Sequence, residues 1–211
     1  MISFATTTYA PVVLGFFGLG TGYLIYGPQE LFRFPKRNLS VDRSTGVWGI
    51  WLPGFCQFVT GVYMFVALLW FESLKEPALY TAALAFSAYG IHWFAMGWNR
   101  YQGNDVRPNG LMSIAFVIIS VLGMVVFFSV GAWPLGVLFA GLTGVYLSEI
   151  FASFRIGVRE PAVGTADEKP TAKNPGELAL GFFHIVTGVW LMYLTFATSL
   201  NISLAYSLPA G

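Results

Sequence analysis

The sequence predicts an all-α polytopic membrane protein: one transmembrane domain over residues 1–211, crossed by six helices. Three observations predict it. The 211 residues are 56% hydrophobic and only 10% charged, which leaves too little polar surface for a soluble domain. Six runs are apolar over approximately the ~20 residues that a helix needs to cross a bilayer. Ten of the eleven Lys and Arg residues fall in alternate connections between those runs.

Each element follows from its own run. The first span is expected at 11–27, opening on Pro11. It lacks the basic flank and small-residue cleavage site of a signal peptide, so it is expected to be retained. The second and third are expected at 47–71 and 79–98, and the fourth at 111–130. Only Gly131 and Ala132 separate the fourth from the fifth, expected at 133–154, so these two form a tight antiparallel hairpin. Pro134 sits in the opening turn of the fifth, where its missing N–H costs nothing. The sixth is expected at 178–200. Between the fifth and sixth, Pro, Thr, Ala, Asp, Glu and Lys replace the apolar run, and 157–175 is predicted to be a flexible cytoplasmic loop.

The first connection holds Arg33, Lys36, Arg37 and Arg43; the third, Arg100 and Arg107; the fifth, Arg155, Arg159, Lys169 and Lys173. Only Lys75 lies on the other side. Basic loops stay in the cytoplasm, which puts both termini on the extracytoplasmic face of the plasma or inner membrane. A net charge of +1 offers no surface for nucleic acid. The lone Cys56, inside the second span, can form no intrachain disulfide or Cys-rich metal site, and reads as a small buried hydrophobe.

A repeat is visible within the chain. Leu14-Gly15-Phe16-Phe17, three residues, then Thr21-Gly22 recurs as Leu180-Gly181-Phe182-Phe183, three residues, then Thr187-Gly188. Thr60-Gly61-Val62-Tyr63 and Thr143-Gly144-Val145-Tyr146 form a second pair. The second pair fits a 3+3 duplication, whose halves would be inverted. The other reading is that small residues recur because they let membrane helices approach closely.

Ionisable groups inside a membrane are costly, which makes them functional candidates. His92, Glu149 and His184 all lie about one and a half turns from the cytoplasmic ends of their spans, hence at one depth. Gln57 stands slightly deeper, and Tyr89 one turn from His92. Three readings of this polar layer compete. It is a structural hydrogen-bonded network; it lines a solute path and makes it pH-sensitive through the histidines; or the two histidines ligate a metal or haem. No phosphate-binding Gly-rich loop and no HExxH, GxSxG or CxxC motif is present, so neither an enzyme nor an ATP-driven pump is expected, and no cofactor or metal is assigned.

Particular motifs resemble known families. Phe86-Ser87-Ala88-Tyr89-Gly90 with Trp93, Gly49-Ile50 followed by Gly54, Gln57 and Gly61, the opening Pro11 with Leu14 to Gly20, and the closing Gly181 to Leu194 are similar to the acetate uptake transporter family of the YaaH type. That resemblance implies six helices per protomer, a homohexamer, and a narrow apolar constriction formed by the positions of Leu19 and Tyr89. Leu19 stands where that family has Phe. The family keeps its termini cytoplasmic, whereas the charge count here puts them outside. That orientation suits the AmiS/UreI urea and amide channels, which Val41-Asp42, the stretch Gly54 to Thr60, and Val106-Arg107-Pro108 resemble. Phe139, Leu142 and Tyr146 stand where those channels carry tryptophans.

Taken together, these readings predict a membrane channel or facilitator for small metabolites, with acetate or a similar short monocarboxylate as the favoured solute. Urea or a short amide is the alternative, and a structural or haem-binding subunit the second. The assigned path residues are Leu19, Gln57 and Tyr89; the pH-sensitive layer is His92, Glu149 and His184. The expected partners are a small solute, the lipid bilayer and further copies of the chain. Tyr89 is expected to narrow the path and offer its hydroxyl as a donor, with Gln57 both donating and accepting. Protonated histidines would favour a carboxylate, so acetate flux should rise as pH falls.

Overall fold

The computed structural model describes residues 10–158 and 174–200. Among them the protein is entirely helical. After a short 3₁₀ turn at Ala10–Val12, six helices follow: α1 (Val13–Leu31), α2 (Leu39–Leu69), α3 (Leu79–Gln102), α4 (Arg107–Ser129), α5 (Trp133–Ser153) and α6 (Pro175–Ser199). Four of them, α2, α4, α5 and α6, are long and apolar enough to cross a membrane. The less apolar α1 ends in Pro28-Gln29-Glu30, and α3 carries Tyr89, His92 and Arg100. Arg159, Lys169 and Lys173, with most of the loop expected at 157–175, lie outside the described residues.

The helices depart from the apolar runs mainly at the basic end. α2 begins at Leu39 rather than 47, because Asn38 caps it: its side-chain oxygen accepts the Val41 N–H at 2.9 Å. α6 begins at Pro175, where Asn174 Oδ1 accepts from Gly176 and Glu177 N–H. α1 continues past Gly27 to Leu31, with Pro28 inside its last turn. α3 continues to Gln102 and stops at Gly103, whose φ of 73° ends the helix.

Around the bundle α3 packs on α2, α2 on α1, α1 on α6, α6 on α5 and α5 on α4, while α4 and α3 approach one another least and complete a ring. Side chains bridge that last seam. Tyr89 and Ser120 share a hydrogen bond of 2.8 Å, and the Phe116 ring lies 5.2 Å from Tyr89 and 5.1 Å from His92. Elsewhere glycine sets the spacing. A Cβ at Gly90 would stand 2.5 Å from the Phe58 backbone nitrogen, and one at Gly181 2.5 Å from that of Leu31. Gly20 faces Gly188 and Gly27 faces Gly181, so α1 and α6, which carry the repeated motif, cross antiparallel through their small residues.

Within α2, residues Ile50–Phe55 widen into a π-helical turn around Pro53. Proline supplies no N–H to the regular ladder, and the π-turn accommodates that loss. Pro53 fills the space left by Gly22, and its carbonyl accepts Gln57 Nε2 at 3.1 Å.

The ends of α1 and α3 and the start of α2 meet in a polar network. Arg100 donates to Gln29 and to Asp42 Oδ1 (3.1 Å), and its guanidinium lies 4.5 Å from the centre of the Tyr26 ring. Gln29 donates to Thr45 Oγ1 at 2.8 Å, and Arg37 pairs with Asp42 at 2.9 Å. Arg37 also lies 3.8 Å from Glu177 at the start of α6. The first connection, the end of α3 and the beginning of α6 therefore share one end of the bundle.

Candidate functional site

Two chambers lie inside the ring. Leu19, Gln57 and Tyr89, the residues assigned to a solute path, line the larger one together. Every helix contributes to it: Phe16 and Leu19 from α1, Gln57 from α2, Phe86 and Tyr89 from α3, Phe127 from α4, Phe139 from α5 and Leu191 from α6. Its water-accessible volume is about 40 Å³. That is room for about three water-sized positions.

Its polar groups are two, and both are partly committed. Gln57 Nε2 donates to Pro53 O, whereas Gln57 Oε1, fully buried, has no partner. Ser120 gives its only proton to Phe116 O at 2.7 Å, so Tyr89 is the donor in the Tyr89–Ser120 bond. The Tyr89 hydroxyl is thus not the free donor that the sequence suggests, because α4 takes its proton. The surface that the chamber presents to a solute is wholly apolar, with Gln57 Oε1 buried in the wall, and no cation lines it.

His92, Glu149 and His184 also stand together, lining the smaller chamber with Tyr23, Trp93 and Tyr146. Its water-accessible volume is about 10 Å³. Tyr89 faces one chamber and Tyr146 the other, and their rings stack at 5.3 Å and 24° to form a partition. His184 Nδ1 lies 2.6 Å from Glu30 Oε2, both side chains being buried, and the Tyr23 ring covers the imidazole at 4.4 Å. Glu149 Oε1 accepts from Ser153 at 2.7 Å. Neither ring nitrogen of His92 has a hydrogen-bond partner, nor does the Trp93 N–H, while the Tyr23 hydroxyl interacts with that of Tyr146.

A metal or haem does not fit these residues. Among the described residues no three His, Cys, Asp or Glu side chains converge on a point that would hold an ion. The space beside the two histidines is of single-water size, far below that of a porphyrin. Cys56 is buried in α2, away from both chambers.

Several residues of the site were not assigned from the sequence. Glu30 lay beyond the apolar run ending at Gly27, and no local pattern ties it to a histidine 154 positions away. Ser120 is one of several serines in the fourth span. Tyr146 did carry a signal, the recurring Thr-Gly-aromatic pattern, but nothing in one sequence says that its ring meets Tyr89.

Fold and site together define an all-helical protein, consistent with an integral membrane protein, that encloses an apolar chamber beside a polar one. Comparison with known protein families, curated proteins and solved structures gives no match to this chain.

Proposed function

We propose that the chain is a six-span membrane channel or facilitator for small metabolites, with both termini extracytoplasmic and the solute passing through the apolar chamber. The observation that carries this reading is the convergence of all six helices on one apolar chamber that includes Leu19, Gln57 and Tyr89. α1 and α3 cross with the other four, because each lines that chamber between membrane-length neighbours. Exposed tryptophans support the same frame: Trp48 and Trp98 near the basic end, Trp70 and Trp133 toward the other, as at two lipid headgroup levels.

The favoured solute is a short monocarboxylate such as acetate, as the resemblance to the acetate uptake family implies. It enters the chamber as the neutral acid. A carboxylate there would lose its water against an apolar wall with no cation to compensate, whereas the neutral acid escapes most of that cost. The absence of a cation from the lining also favours a second reading, urea or a short amide, which are neutral solutes of similar size. Assembly as a homohexamer rests on the two resemblances. A haem-binding subunit finds no support in the size of the polar chamber.

The test is uptake of labelled acetate, urea and acetamide into proteoliposomes holding the purified chain, each corrected for protein-free vesicles. Acetate uptake above that baseline, lowered by Gln57→Leu, supports the first reading. Uptake of urea and acetamide alone favours the second, and no uptake of any of the three overturns both.

A further inference from the structure

We propose that the polar chamber is a binding site for a single water molecule, held by Trp93 and His92. Relative exposures of 1% and 7% make these two side chains at least nine-tenths buried, and none of their polar atoms has a hydrogen-bond partner in the protein. Both line a space of about 10 Å³, close to the room that one water needs, with Tyr23 beside them. The inference is independent of what passes through the apolar chamber.

The chemistry of the lining selects the guest. Trp93 Nε1–H only donates, so the guest must accept. A neutral His92 has one donor nitrogen and one acceptor nitrogen, so the guest must also donate; the Tyr23 hydroxyl does either. An ammonium ion has no lone pair for Trp93, a metal cation likewise, and a halide has no proton for the acceptor nitrogen of His92. A carboxylate or amide is too large for the space. Water has two donors and two acceptors in one heavy atom. Glu149 and His184 face the same chamber, but each already holds a partner, Ser153 and Glu30 respectively. A water here gives His92 the hydrogen bonds that its ring nitrogens otherwise lack.

X-ray radiolytic footprinting of the full chain in detergent, read by mass spectrometry, tests this directly, because hydroxyl radicals made from a bound water oxidise the side chains beside it. Trp93 is expected to be oxidised despite its burial, alongside Trp98, which is 53% exposed and serves as the internal standard. His92→Leu is expected to abolish the Trp93 signal, spare that of Trp98, and lower Tm, because the bridge is broken. An unreacted Trp93 in the wild type overturns the proposal, as does a rise in Tm for His92→Leu, the result for a dry chamber relieved of an unpaired imidazole. The wild-type footprint decides by itself if the variant does not fold.

Discussion

At the scale of single residues, the Glu30–His184 contact is the most exacting, since it pairs two buried side chains from helices at opposite ends of the chain. Removing one partner leaves the other unsatisfied, which costs about 1–3 kcal/mol for a neutral group and more for a charged one. Glu30→Ala is therefore expected to lower Tm in detergent strongly. Glu30→Gln keeps an acceptor for His184 Nδ1–H and is expected to lie nearer the wild type; equal loss in both variants would show that the carboxylate charge itself is required. Tyr89 is expected to tolerate loss of its hydroxyl better than loss of its ring. Tyr89→Phe forfeits one hydrogen bond to Ser120, about 1 kcal/mol, and keeps the stack on Tyr146. Tyr89→Ala removes the partition, and uptake measured across a series of longer acids should lose its size limit. The pH response expected from His92 and His184 is checked in the double alanine variant: flux divided by the concentration of neutral acid, which itself grows as pH falls, should no longer rise there, and an unchanged profile refutes a role for them in it.

At the scale of elements, the helices were legible and their polar ends were not. Apolar runs mark where a helix meets apolar surroundings, so 133–154 falls almost on α5, and 79–98 on α3 up to its polar end at Asn99 to Gln102. Hydropathy carries no information about Asn38, whose cap starts α2 at Leu39, or about Gln29 and Glu30, which α1 carries into a network completed by distant residues. Gln57 and His92 were legible as candidates because they are conspicuous within apolar runs, and Leu19 and Tyr89 only through the motif resemblance. Their hydrogen bonds were not, because Gln57 bonds within its own π-turn and Tyr89 across the ring to Ser120. Close helix contacts give a further prediction. Gly181→Leu would drive a side chain into the backbone of α1 at Leu31, and overpacking of this kind costs about 1–3 kcal/mol or more. The expected outcome is a lower Tm or loss of the monodisperse species on gel filtration. The same substitution at Gly131, whose Cβ direction is open, should meet no neighbour and suffer only from its φ of 74°.

At the scale of the whole molecule, the basic connections identify one face of the bundle, and the contact between Arg37 and Glu177 brings the first connection and the start of α6 together there. The orientation proposed for the membrane is tested with single cysteines, for which the buried Cys56 leaves a quiet background. Lys36→Cys should be labelled only from the cytosolic side and Lys75→Cys only from the other; the reverse pattern would invert the topology.

The narrowness of the apolar chamber carries a kinetic corollary. A space for about three water molecules admits one acetic acid or one urea at a time, stripped of nearly all its hydration, so two molecules cannot exchange places inside it. In the proposed channel that single place saturates: unlabelled acetic acid on the same side should slow tracer entry as it fills the chamber, whereas a wide pore would show no such competition.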